Sequence, residues 1–167
     1  MGIDMPEVPR IHRVPAHLAR RFHQICLGAL AQITGPQDLS PLQFGLLASI
    51  QDKPGMDQRR LAERMGIDSV SAHHHIGFFE ERGLVVREVD PGDRRSRLLR
   101  LTKQGARLCE RLRPRLAKAH GRILSSLSQQ EREIFLRLLT RVVESNEMFA
   151  KPGNGRRPPK RIIALMR

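Results

Sequence analysis

Three observations predict a mainly α (α+β) fold. Apolar residues recur at helical spacing near both ends of the chain, as Leu18, Phe22, Ile25 and Cys26 and again as Ile134, Phe135, Leu138 and Val142. Two short apolar sets in the middle, Leu61, Ala62, Met65 and then Ala72, Ile76, Phe79, are separated by Gly66 and the capping residues Asp68 and Ser69. The stretch from Leu84 to Leu101 alternates with period two around the turn Asp90, Pro91, Gly92, Asp93. A tight helix-turn-helix followed by a hairpin is a winged helix-turn-helix, here with a further helix at each end.

Residues 1–14 carry Pro6 and Pro9 and little periodicity, so an extended arm is expected. From Pro15 to about Thr34, Leu18, Phe22, Ile25, Cys26, Ala29, Leu30 and Ile33 form an apolar stripe, and Gly35-Pro36 ends that helix. Ser40-Pro41 starts the next one, with proline at the favoured first position, and Lys53-Pro54-Gly55 closes it. The helix-turn-helix spans Gln58 to about Arg82, where Gly83 stops the second helix. Thr102 reads as the cap of a long helix running toward Leu127, with Pro114 inside it to kink or break it. Ser128 and Glu131 form a capping box for the last helix. Beyond it, residues 150–167 are a basic tail, either a free arm or a segment docked on a partner through Ile162, Ile163, Leu165 and Met166.

The second helix of the pair has two unlike faces. Ala72, Ile76 and Phe79 must pack inward, which leaves Ser69, Ser71, His73, His74 and Gly77 outside, with no carboxylate before Glu80. An ordinary surface helix carries Lys and Glu. A helix that enters the DNA major groove must instead avoid acidic groups that repel phosphate. The hairpin places Asp93, Arg94, Arg95 and Arg97 at or near its tip, and arginine suits the negative potential of a narrow minor groove.

The ordered series Leu39–Phe44, Leu61–Gly66, Glu80–Val85, Asp90–Arg95 and Leu101–Gly105 resembles the MarR family of bacterial dimeric repressors, over residues 15–148. The resemblance implies a DNA-binding core at about 41–102 and dimerisation helices at about 15–34 and 103–149, together one domain over 15–149. It implies that Asp93 orients Arg95 for minor-groove entry. It also implies a pocket for an aromatic or phenolic acid between the dimerisation helices and the winged helix. Candidate lining residues are His17, Arg20, Arg21, Phe22, Gln24 and Phe44, with Arg20 or Arg21 able to grip a carboxylate. The surplus of arginine makes a coenzyme A thioester of such an acid a second possibility. The competing reading of these residues is a solvated basic face.

Composition agrees with an anionic partner. Lys and Arg number 30 against 17 Asp and Glu, a formal charge of +13. The excess is concentrated between Arg87 and Lys118, which favours nucleic acid over a membrane surface. No segment approaches the ~20 apolar residues of a membrane span, and the start lacks a signal-peptide pattern. A soluble, cytoplasmic protein is expected. Broad apolar faces on the terminal helices point to a homodimer, and a two-fold axis requires a palindromic operator in double-stranded DNA.

Other chemistry finds little support. His73, His74 and His75 point about 100° apart on a helix and cannot reach one metal ion. Cys26 lies on an apolar stripe and is expected to be inert rather than a peroxide sensor; the tyrosine that oxidant-sensing relatives use is absent from the chain. No nucleotide-binding, metalloprotease or redox motif occurs, so no enzyme and no cofactor are expected. Two functions remain: a ligand-responsive, sequence-specific repressor, or a low-specificity architectural DNA-binding protein without effector control.

Overall fold

The computed structural model describes residues 13–93 and 96–150; nearly all of the expected arm, the tail beyond residue 150, and Arg94 and Arg95 lie outside the described residues. Helix α1 (Pro15–Thr34) starts on a proline, as expected, and passes into a short 3-10 turn at Gly35–Gln37. Asp38, with φ of 53°, then turns the chain into α2 (Pro41–Asp52). Ser40 and Gln43 form a capping box: the Ser40 hydroxyl accepts from the Gln43 amide at 3.1 Å, and the Gln43 side chain accepts from the Ser40 amide at 2.7 Å.

Helix α3 (Gln58–Met65) begins on the Asp57 carboxylate and ends at Gly66, whose φ of 64° suits glycine. Of the two cap candidates for α4 (Ser69–Glu81), Asp68 takes the role. Its carboxylate accepts from both the amide and the hydroxyl of Ser71, each at 2.8 Å, and Ser69 becomes the first helical residue. The hairpin pairs β1 (Val85–Val89) with β2 (Arg97–Leu101) antiparallel, in the register Val85↔Leu101 to Val89↔Arg97. A short third edge joins it, with an Asp57↔Leu98 bridge and Leu99 hydrogen-bonded to Gly55 and Met56.

Helix α5 (Lys103–Ile123) ends earlier than expected and runs on as one helix through Pro114. It stops at Ile123 rather than near Leu127, because Arg132 donates to the carbonyls of both Leu124 and Leu127 at 2.9 Å and closes a corner there. It does not break at Pro114. Glu110 and Pro114 are both exposed, so water can take the carbonyl that proline leaves without a donor. Helix α6 (Gln129–Ser145) starts on the expected Ser128–Glu131 capping box.

The core lies between α2, α3, α4, the strands and α5. Ala72, Ile76 and Phe79 are fully buried, as their spacing requires, and Ile76 and Phe79 join Leu46, Leu47, Ile50, Leu61, Leu99 and Leu112 in one cluster. One junction fixes the wing to this core. The Thr102 hydroxyl donates to the Gly83 carbonyl at 2.6 Å and accepts from the Gly105 amide at 3.0 Å, while the Thr102 amide bonds to Leu84. A Cβ at Gly105 would overlap the Leu84 carbonyl oxygen, so only glycine lets α5 cross the chain this closely. Helix α6, by contrast, buries none of its residues within the protomer.

Candidate nucleic-acid interface

The Asp68 cap locks the first turn of α4, and the buried face of that helix fixes its rotation. Ser69, Val70, His73 and His74 are exposed, Ser71 and Gly77 half-buried. Val70, His73, His74 and Gly77 lie opposite the core stripe by helical spacing, with the two serines flanking the first turn. Glu80, the first carboxylate of the helix, sits 3.4 Å from a guanidinium nitrogen of Arg87. That nitrogen makes no aligned hydrogen bond, so the contact is an ion pair only.

Several arginines that raise the net charge serve the fold instead. Arg100 pairs with Glu88 at 2.6 Å across the hairpin, and Arg113 ties α5 to Asp52 at 3.0 Å. Arg82 holds the loop before α2 through Asp38 and Gln37 and lies over the Phe78 ring. The basic stretch from Arg87 to Lys118 is therefore partly neutralised, which a residue count does not reveal.

At the wing, the Gly92 amide donates to the Asp90 carboxylate at 2.8 Å, and the Ser96 amide to the Asp93 carbonyl at 2.8 Å. These turns flank residues 94 and 95, so the pairing of Asp93 with Arg95 lies outside the described residues. Asp93 and Arg97 are exposed. A cleft of about 350 Å³ separates the wing from the starts of α3 and α4, lined by Gln58, Arg59, Ser69, Arg87, Ser96 and Arg97 among others. Gln58 bridges the two helices by donating to the Ser69 carbonyl at 3.3 Å. Sequence reasoning missed Gln58 and Arg59 here, and Val70 on α4. The polar run at Gln58–Arg60 was visible, but its position beside the wing needs the tertiary fold.

The six effector candidates do not close into one enclosed site within the described protomer. Arg20, Arg21 and Gln24 are exposed on α1, where Arg21 reaches Gln24 at 3.5 Å, and His17 is half-buried. Phe22 meets Phe135 of α6 edge-on, with centroids 5.6 Å apart, and Phe44 packs against the core. A cavity of about 610 Å³ lies elsewhere, between the α3–α4 turn and the end of α6, lined by residues that include Arg64, Met65, Ile67 and Val143.

The remaining titratable groups have environments that explain them. Hydrogen bonds from Ser71 hold the Asp68 carboxyl below its ordinary range. Burial, and then the neighbouring His74, pushes His75 down, and its Nδ1 is buried without a partner. Burial raises the half-buried Cys26 thiol and lifts Cys109 to about 11, so neither is an activated thiolate. Among the described residues no three His, Cys, Asp or Glu side chains gather around a possible metal position, and no helix is long and apolar enough to cross a membrane.

A capped helix with a carboxylate-poor outer face, set beside a cationic hairpin, defines the winged helix-turn-helix class of DNA-binding regulators. The chain belongs to the MarR family: the profile of that family matches residues 37–96. The transcriptional regulator HosA of Escherichia coli O111:H- is 32% identical over 108 residues, 65% of this chain and 80% of HosA. The PcaV transcriptional regulator of Streptomyces coelicolor, in complex with its natural ligand, superposes with a TM-score of 0.71 at 32% identity, covering 85% of this chain and 99% of that one. CouR of Rhodococcus jostii RHA1, bound to p-coumaroyl-CoA, gives 0.73 at 29% identity over 81% of this chain and 95% of its own. The protein is thus a transcriptional regulator of mainly α (α+β) winged-helix fold.

Proposed function

We propose that the protein is a homodimeric repressor that grips a palindromic operator and is released from it by a small aromatic acid or its coenzyme A thioester. The observation that carries this reading is the outer face of α4, which offers Ser69, Ser71, His73 and His74 and pairs its first carboxylate away on Arg87. Under it, α4 enters the major groove, and the wing, with Asp93, Arg94, Arg95 and Arg97, takes the adjacent minor groove. Gln58 and Arg59 face the backbone between them.

The dimer is proposed to form through α1, α5 and α6. Ile134, Leu136, Leu138, Leu139, Val142 and Val143 are 38–59% exposed on α6, far more apolar surface than a lone protomer keeps in water. Burying such side chains is worth ~1.5–3 kcal/mol each, enough to make association obligate. The effector reading draws on PcaV with its natural ligand and CouR with p-coumaroyl-CoA. In this chain Arg20 or Arg21 is the proposed carboxylate grip, since among the described residues neither is in an ion pair. His17, Gln24, Phe22 and Phe44 would complete the walls.

The test is a footprint on DNA flanking the protein's own gene, then anisotropy titrations on that site at fixed salt. Specific sites should bind at least ~10³ times more tightly than random duplex. One compound among benzoates, hydroxycinnamates and their coenzyme A thioesters should weaken operator binding roughly 5- to 150-fold. That release should vanish in Arg20→Ala or Arg21→Ala. Affinity indifferent to sequence and to every compound would replace this proposal with the architectural reading.

A further inference from the structure

Val70 is the outlier of the candidate interface. At 77% exposure it is the most exposed large apolar side chain among the described residues. It lies in the first turn of α4, the part of a recognition helix that meets base edges. Nothing in the protomer accounts for it, since the core face of the helix is complete with Ala72, Ile76 and Phe79. Its surroundings also exclude a protein-docking patch: Ser69, Ser71, His73 and His74 are polar, so Val70 stands as a single apolar group in a hydrogen-bonding surface.

We infer that Val70 contacts the 5-methyl group of a pyrimidine, thymine in unmodified DNA, in the major groove of each half-site. This rests on the reading of α4 as the groove-entering helix and adds to it one base preference. Three properties carry it. Valine has no donor or acceptor, so it cannot read the polar edges of guanine, adenine or cytosine, whereas thymine alone among the four bases shows a methyl group in that groove. Its β-branch restricts χ1 on a helix, which presents both γ-methyls in one orientation before DNA arrives. The Asp68 carboxylate clamps the Ser71 amide and hydroxyl at 2.8 Å each, so the turn that carries Val70 is fixed, and the flanking serines are short enough to let a base edge approach.

The experiment selects binding sites for the purified full-length protein from a random duplex library. Each thymine of the enriched site is then replaced in turn by deoxyuridine, which removes the methyl group and leaves every hydrogen bond. Burial of one methyl changes affinity about fourfold, so one thymine per half-site should show a loss of that size, and roughly 15-fold when both half-sites are changed. In Val70→Ala the same replacement should cost less than about twofold, with thermal unfolding unchanged or slightly raised because the side chain is exposed. Val70→Thr, which keeps the shape and one methyl, should retain part of the sensitivity. An enriched site in which no thymine is methyl-sensitive, or in which Val70→Ala is as sensitive as the wild type, overturns the inference and leaves the repressor reading standing. Failure to enrich any sequence overturns both.

Discussion

Replacing Gly77 by alanine should raise the stability of the protein and lower its affinity for DNA at the same time. A Cβ built on Gly77 meets nothing within 4 Å beyond its own chain neighbours and helix backbone, so the substitution fits without displacing a neighbour. The residue is interior to α4, which continues to Glu81. Glycine in a helix interior costs about 0.8–1 kcal/mol relative to alanine. In a chain of this size that gain moves Tm up by roughly 2–4 °C. No packing inside the protomer explains why a helix should carry this glycine. Its position on the outward strip with Val70, His73 and His74 does, if the space it leaves is where DNA approaches. A methyl group forced into a close contact costs on the order of 1–3 kcal/mol, so each kcal/mol lost at the interface weakens binding about fivefold. Thermal unfolding must be compared at one protomer concentration, because dimer stability depends on it. Anisotropy on the operator must be compared at one salt concentration. A higher Tm with unchanged operator affinity would remove Gly77 from the interface and with it the proposed rotation of the helix in the groove. A lower Tm would contradict the open space around the residue.

Three further outcomes follow from the geometry. Gly105→Ala, whose Cβ would overlap the Leu84 carbonyl oxygen, should destabilise the protein by about 3 kcal/mol, read as a fall in Tm; a neutral substitution would refute the tight crossing of α5 over the α4–β1 link. His75 is held below its ordinary value of 6.5 by burial and then by His74, so the unfolded chain takes up a proton more readily than the folded one. Its contribution to stability is complete above the unfolded value and is lost as pH falls from there through the lower folded value, so Tm should decline below about pH 6.5. His75→Leu should flatten that decline; an unaltered profile would place the titration elsewhere. Leu138→Glu should split the dimer while the winged helix stays folded, since Leu138 is 50% exposed in the protomer. An intact dimer by sedimentation would rule out this face as the interface.

The elements near the core were legible because local chemistry and tertiary packing agree there. Gly66 and Gly83 stop their helices at positive φ, Asp68 and Thr102 cap the next ones, and Ala72, Ile76 and Phe79 are buried to the last atom. The end of α5 was misread because the hydrophobic period continues to Leu127. What ends the helix is Arg132, a residue beyond it that captures two carbonyls from the following corner. The basic stretch Arg87–Lys118 is partly neutralised for a similar reason: Arg87, Arg100 and Arg113 find carboxylates that are 7, 12 and 61 positions away in sequence. Val70 lies on the outward strip by spacing but was not named among the contact residues, because polar groups were sought there; its 77% exposure brings it out. The effector residues were drawn from α1, with Phe44 of α2, and from family likeness. Whether those side chains meet a ligand depends on what covers them, which the periodicity of one helix does not give.

The same fold suggests how a ligand near the dimer helices could reach DNA. Helix α5 has 21 residues and so spans about 30 Å. At one end, Thr102 and Gly105 bind its first turn to the link between α4 and β1. At the other, Arg132 of α6 holds the carbonyls of Leu124 and Leu127 in the corner that follows the helix. The recognition helix and the wing are thus attached to one end of a stiff rod whose other end belongs to the proposed dimer interface. A rotation of about 10° at the α6 corner would carry the far end by roughly 5 Å, given that length. This exceeds the rise of one base pair, about 3.4 Å, so two α4 helices displaced in opposite senses would no longer match half-sites one helical turn apart. Control of DNA binding then needs no contact between effector and DNA-reading residues. It needs only that the effector favour one angle between α5 and α6, and that the Thr102 junction be too tight to absorb the change.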